Sequence, residues 1–338
     1  MSKNKVSIKE IAKLSGVSVA TVSRVINNNG RFSEDTRQKV LTVIREMNYE
    51  TNNVAKSLRM NKSNSIGILV PDISNAFFAS IVQHLEKMLF DEGYSTIICN
   101  TTRSKEKELA YLKILESKMI DGLFVISGAK EFDNEVLNKH IPVVCIDRKP
   151  KDNNTTILIQ SDNYHGGFLA TEILIKKGCK NIALLAHKET SSSFKNRHQG
   201  YIDALRTYGL DFNKDNLVEV KAVTKQSSVE DAKAILTEKF KNELIYDGIF
   251  ALNDRLAIGA IEAASELGIK IPKDIKIIGF DNDPISNYCF PKLTTIKQDT
   301  EILARKACSA LLGLMDGQQM PIDKNQMVPV ELVVRETT

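Results

Sequence analysis

Short apolar runs along this 338-residue chain end on polar residues: Asp72 and Asn75, Asn100, Ser127, Asp147 with Arg148, Asp162, Asn253 with Asp254, and Asp281. Carboxylates and amides in such positions exchange paired hydrogen bonds with vicinal hydroxyls, and an Arg148 fork would add fixed donors. The faces of Phe77 and Phe78 can cover the apolar side of a sugar ring. The set therefore suits a neutral, hydroxyl-rich ligand. A misplaced hydroxyl would leave a buried polar group unpaired, at a cost of about 1–3 kcal/mol. Taken one at a time, these Asp and Asn residues have a plainer role, capping helices or shaping turns. Phosphate-cradling, dinucleotide, nucleophile-elbow and H-E-x-x-H patterns are absent. The five histidines (His84, His140, His165, His187, His198) lack metal-ligand spacing. No cofactor and no metal is expected, and an acid/base pair made by Asp147 and Asp281 is the one enzymatic reading left open.

A second chemical surface lies near the N-terminus. Ser18 can cap a helix whose inner stripe is Val22, Val25 and Ile26, which turns Val19, Ala20, Thr21, Ser23 and Arg24 partly or wholly outward. Before it, Ser7 and Glu10 form a capping-box pattern for a helix with Ile8, Ile11, Ala12 and Leu14 on one face. After it, Ser33 can cap a third helix with Val40, Leu41, Ile44 and Met47 inward. Two helices joined by a tight turn at Gly16 and buttressed by a third outline a helix-turn-helix. From Thr51 to Ser65 the chain is polar apart from Val54, Ala55 and Leu58. That fragment is too short to be a stable isolated helix.

The charge is unevenly placed. Residues 1–62 hold 12 Lys+Arg against 5 Asp+Glu, a balance of +7, so the overall +4 leaves the remainder at −3. Basicity confined to one end points to a polyanionic partner. The chain is 42% hydrophobic and 26% charged, an ordinary globular composition. It has no apolar leader and no membrane-spanning run, so a cytoplasmic protein without a membrane partner is expected. Five scattered cysteines support neither a disulfide framework nor a zinc knuckle.

From Ile66 onward, apolar strands alternate with amphipathic helices: 66–70, 95–99, 122–126, 143–146, 156–159, 181–185, 217–220, 248–251 and 275–279. Continuous apolar strands in βαβα order predict doubly wound parallel sheets. About 270 residues exceed one comfortable core, so two lobes are expected.

The segment Ser7 to Ser57, with its core GVSVATVSRVIN, resembles the DNA-binding headpiece of the lactose repressor family. PDISNAFF, VCIDR, SDNYHGG, ALNDRLAIGAIEA, IIGFD and LTTIKQD carry the likeness through the chain. The resemblance implies a headpiece (1–50), a hinge helix (51–63) and a two-lobed, periplasmic-binding-protein-like core (64–338). The chain would cross between lobes three times, giving lobe 1 about 64–162 plus 295–326 and lobe 2 about 163–294 plus 327–338. It places Val19, Ala20 and Arg24 in the major groove, with Ser18, Thr21, Ser23 and Asn27 at phosphates and the helix start. In the hinge it places Asn52 and Ala55 against DNA and Leu58 as a minor-groove wedge. The implied effector residues are Asn75, Phe77, Phe78, Asp147, Arg148, Arg197, Asn253, Asp281 and Gln298. The chain has no tryptophan, so Phe77, Phe78 or Phe194 must supply any ring stacking.

The function implied is a homodimeric, sugar-responsive repressor on a palindromic double-stranded operator, with a ribose-like monosaccharide ahead of sucrose. A global regulator answering to a phosphorylated carrier protein or a purine is the alternative within the family. A transport receptor or a sugar-acting enzyme lies outside it.

Overall fold

The computed structural model describes residues 6–49, 62–128, 131–133, 137, 141–151, 155–187, 191–220, 228–242, 245–319 and 323–338. The chain divides into two compact units, 1–63 and 64–338. The hinge positions Asn52, Ala55 and Leu58 lie outside the described residues.

In the first unit each of the three described helices starts on a serine. Ser7 opens α1 (Ile8–Ser15) with a reciprocal box. Its hydroxyl accepts the Glu10 N–H at 3.3 Å, while the Glu10 carboxylate accepts the Ser7 N–H at 2.7 Å. Ser18 and Ser33 accept the N–H groups of Thr21 and Thr36, at 3.1 and 3.2 Å, to open α2 (Val19–Ile26) and α3 (Glu34–Glu46). Between α1 and α2, Gly16 sits at φ +69, where a side chain would be strained. Ile11, Ala12, Val22, Val25 and Val40 form the small core, with Ile26, Phe32, Leu41 and Ile44 packed against it. Leu14 and Met47, expected inward, are exposed instead. Leu14 lies in the last turn of α1 and Met47 just past the end of α3.

The second unit holds two six-stranded sheets. The first contains β1 (Ser65–Val70), β2 (Ser95–Asn100), β3 (Gly122–Ile126), β4 (Val143–Ile146), β5 (Thr156–Ser161) and β11 (Asn325–Val328), in the order β11-β5-β4-β3-β1-β2. The second contains β6 (Ile182–His187), β7 (Leu217–Val220), β8 (Gly248–Ala251), β9 (Lys276–Asp281), β10 (Thr294–Gln298) and β12 (Val330–Val333), in the order β12-β10-β9-β8-β6-β7. Pairing is parallel except between β10 and β12. The middle strands β3, β4 and β8 are buried at every position, which is why they read as unbroken apolar runs.

Helices α4 (Ala76–Asp91), α5 (Lys105–Ser117) and α11 (Thr300–Met315) belong to the first lobe. Helices α6 (Asn163–Lys176), α7 (Ser192–Thr207), α8 (Ser228–Asn242), α9 (Asp254–Glu266) and the short α10 (Ile285–Tyr288) belong to the second. Among the described residues, no helix is long and apolar enough to cross a membrane.

The lobe boundaries need correction. Residues 294–298 pair with β9 in the second sheet, Thr294 opposite Ile278, so they belong to lobe 2. The crossings fall at Asp162, Asp299 and Pro329, because β11 pairs with β5 and β12 with β10. Polar composition hid β10. Its Thr294 and Thr295 are fully buried, yet their hydroxyls are satisfied by Thr338 and Asp254.

Helices α6 and α7 meet backbone to backbone. A Cβ on Gly167 would come within 2.2 Å of the Arg197 carbonyl oxygen, and one on Gly200 within 2.2 Å of the Tyr164 oxygen. Gly200→Ala must push the helices apart, and overpacking of this kind costs about 1–3 kcal/mol. Thermal unfolding of the variant is expected to show a lowered core transition, with the headpiece transition unmoved.

Candidate functional site

On the headpiece, the structure exposes Ser18, Val19, Ala20, Arg24 and Asn27 and half-buries Thr21 and Ser23. Several of the polar groups already have local work. The Ser18 and Thr21 hydroxyls lie 2.9 Å apart, and the Asn27 amide donates to the Ser23 carbonyl at 2.7 Å. Arg24 keeps its stem beside Gly30, whose φ of +90 and lack of a Cβ leave room for it. The outward face thus offers two small apolar side chains and one guanidinium fork, a composition able to meet a thymine methyl and a guanine edge.

In the core, strand ends and helix starts from both lobes converge on a cleft enclosing about 640 Å³ of empty space, part of it open to solvent. Seven of the nine expected effector residues line it: Asn75, Phe77, Phe78, Asp147, Arg197, Asn253 and Asp281. Asn75 and Asn253 also cap α4 and α9, accepting the N–H groups of Phe77 and Leu256 at 2.9 Å. The Phe77 and Phe78 rings stand edge to face, 5.4 Å apart. Phe194, the third aromatic candidate, faces the same space. Arg255 of lobe 2 donates to the Ser74 carbonyl and stands 4.0 Å from Asp72 of lobe 1.

Asp147 is 3% exposed and sits at φ +51 just after β4. Its Oδ1 accepts the Ser161 N–H at 2.9 Å and the Asn163 amide at 3.2 Å, while its Oδ2 has no partner. Arg197, 8% exposed, donates from Nε to Asn163 Oδ1 at 2.8 Å and from Nη1 to the Leu252 carbonyl at 2.5 Å. Its guanidinium carbon lies 3.5 Å from the centre of the Phe280 ring, and Nη1 is 3.7 Å from Asp281. Burial raises the Asp147 carboxyl and lifts Asp281 to about 7, against the pull of Arg197. The same burial draws Arg197 below the ordinary guanidinium value. Both partners move toward neutrality because loss of water outweighs an attraction that acts at 3.7 Å. These are groups that would gain from a ligand supplying hydroxyl donors and acceptors.

Arg148 and Gln298 stand elsewhere. Arg148 turns away from the cleft into a two-pronged pair with Glu108 of α5, at 2.7 and 3.0 Å, and its guanidinium carbon lies 5.4 Å from the Phe132 ring centre. A buried guanidinium takes a carboxylate within reach, and nothing in the sequence ties Glu108 to it. Gln298 lies behind Asp281, donating to its Oδ1 at 2.7 Å with its own Oε1 unpartnered. It positions the carboxyl rather than lining the space. Asp254, found beside Asn253 at a strand end, is fully buried and structural, accepting from Thr295 at 2.6 Å and the Asp283 N–H at 2.7 Å.

The cleft also contains Arg103, His187, Ser191, Ser193 and Leu252, which the sequence reading did not assign. His187 was hidden because β6 runs two residues past the strand expected at 181–185. Arg103 follows Thr102, and both adopt positive φ after β2, a turn their side chains do not announce. Among the described residues no group of His, Cys, Asp or Glu is arranged to hold a metal.

Comparison with known proteins agrees with this geometry. Residues 7–52 match the model for bacterial regulatory proteins of the lacI family, and residues 171–338 match a periplasmic binding protein-like domain. A ribose operon repressor from Halalkalibacterium halodurans is 35% identical over 334 residues, covering 98% of this chain and 97% of that one. The HTH-type transcriptional repressor PurR of Pasteurella multocida is also 35% identical, covering 98% of each. The solved Lac repressor dimer bound to operator and the anti-inducer ONPF superposes with a TM-score of 0.85 at 27% identity, covering 99% of each chain. Headpiece, two-lobed core and full-length similarity together make this chain a member of the lacI family of bacterial regulatory proteins.

Proposed function

We propose that the protein is a cytoplasmic, homodimeric transcriptional repressor whose affinity for a palindromic operator is set by a small sugar in the core cleft, with a ribose-like monosaccharide as the effector. The observation that carries the sugar reading is the buried, unpartnered Oδ2 of Asp147, a residue that lines the cleft together with aromatic rings and Arg197, Asn253 and Asp281. Its hydrogen-bonding capacity is neutral overall and hydroxyl-shaped. The 35% identical ribose operon repressor supports the monosaccharide. The equally similar PurR keeps a purine corepressor as the second reading. For self-association, Tyr288 and Phe290, two residues apart in sequence, stand 82% and 90% exposed, apolar side chains of the kind that a second copy would cover.

The mechanism follows from linkage. The operator and the sugar each favour one arrangement of the two lobes, and a sugar that weakens DNA binding tenfold must prefer the DNA-incompetent arrangement by about 1.4 kcal/mol. DNA then weakens sugar binding by the same factor.

A thermal-shift screen of pentoses, hexoses and purines tests the reading, because a ligand at a hundred times its dissociation constant adds about 2.7 kcal/mol of stability. D-ribose is expected to raise the core transition. A response to purines alone would replace the sugar with the second reading.

Two further outcomes are expected. Asp281 has a raised value of about 7, so the free protein loses the stabilising effect of its protonated form as pH rises through that point. A sugar hydroxyl donating to the carboxylate favours the ionised form, so D-ribose should bind more tightly at pH 8 than at pH 6, by roughly tenfold. Calorimetry on wild type and Asp281→Asn should find this slope only in wild type. On the headpiece, Arg24→Ala is expected to cost about 1–3 kcal/mol and to relax preference at one base pair. Binding to duplexes selected from a randomised pool measures it, and an equal loss on every sequence would make Arg24 a phosphate contact.

A further inference from the structure

Asn163 is the first residue of α6, immediately past the first crossing, and it is 2% exposed. It does not line the cleft. One hydrogen of its amide goes to Asp147 Oδ1 at 3.2 Å, in lobe 1, and the other to the Ser161 carbonyl at 3.1 Å. Its oxygen accepts Arg197 Nε at 2.8 Å, in lobe 2. Asp147 and Arg197 are charged cleft groups, one per lobe, and the same amide beside the first crossing holds both. At the second crossing Gln298 holds Asp281, which faces Arg197 at 3.7 Å.

From this we infer that Asn163 is a positioning residue that clasps the two halves of the effector site across the first crossing, so that a change in the setting of Asp147 is felt at Arg197. Only a neutral group with both a donor and an acceptor can do this. A carboxylate would still accept from Arg197 but would repel Asp147, and an apolar side chain of the same size would drop both bonds while keeping the packing. The inference rests on reading the cleft as the effector site, yet it has consequences for the ligand-free protein.

Hydrogen-deuterium exchange of the full chain without sugar is therefore the first test. In Asn163→Leu, peptides covering 143–149 and 194–202 should both exchange at least threefold faster, although they are about fifty residues apart and in different lobes. Faster exchange confined to peptides containing residue 163 would overturn the clasp and leave Asn163 a local packing residue. If that variant does not fold, Asn163→Ala, which drops the same bonds, takes its place, with the same pair of peptides expected to loosen.

The second test is calorimetry with D-ribose. Relative to wild type at the same pH, Asn163→Asp should raise the dissociation constant at least tenfold at pH 8 and by a smaller factor at pH 6, where a shared proton restores a donor between the two carboxyls. An unchanged affinity would also overturn the inference. If no sugar binds the wild-type chain, it is the cleft reading that falls, and the exchange result still decides the role of Asn163.

Discussion

Arg197 is a cation from which nearly all water has been removed, and much of the core is organised around making that tolerable. Stripping an ion of solvent costs several kcal/mol even after relaxation. The chain offsets this with the Leu252 carbonyl, the Asn163 amide, the face of Phe280 and two carboxylates, Asp281 within 3.7 Å and Asp147 one residue further along the network. These partners come from α6, from β9 and from the residues that directly follow β8 and β4. Satisfying one guanidinium thus requires both sheets and the first crossing between them to be in place. The charge is not an ornament on a finished fold.

That demand explains some otherwise costly geometry. Asp281 is at φ +109, outside the comfortable range of an L-residue, and Asn282 follows it at +56. The turn aims the carboxyl at the cleft instead of along the strand. Behind it, Gly279 has no side chain because a Cβ would meet Asp254 within 2.2 Å. Asp254 in turn ties α9 to the Asp283 backbone and to Thr295. Gly167 and Gly200 let α6 and α7 close to backbone contact at the level of Arg197 itself. Strain and close approach collect where the ligand would sit, as expected when preorganisation is the purpose.

The headpiece depends on nothing of this kind. Five buried apolar residues and three serine caps make it. A core that small leaves the exposed Val19, Ala20 and Arg24 free of structural duty, as the DNA-reading role proposed for them requires. The basic balance of residues 1–62 belongs to this unit, and it supplies the salt-dependent, sequence-independent part of DNA affinity.

Local chemistry made much of this legible from residue order alone. Serine caps, apolar stripes and runs, and polar residues at strand ends act over a few neighbours, so the three headpiece helices, nine of the twelve strands among the described residues and the strand-end members of the cleft could be read directly, whereas Arg197 came from the family resemblance. What needed the tertiary structure was every feature that depends on a distant partner. Strand β10 is Thr-rich and finds its place only because Asp254 and the C-terminal residues satisfy its hydroxyls. Arg148 follows Asp147 in sequence but points to Glu108, forty residues away. Gln298 and Asn163 act through the charges they hold, not through the cleft they adjoin. Pattern specifies which face a side chain must bury; only the assembled sheets decide which buried charge it will meet, because the energy of that meeting depends on the water excluded by both partners.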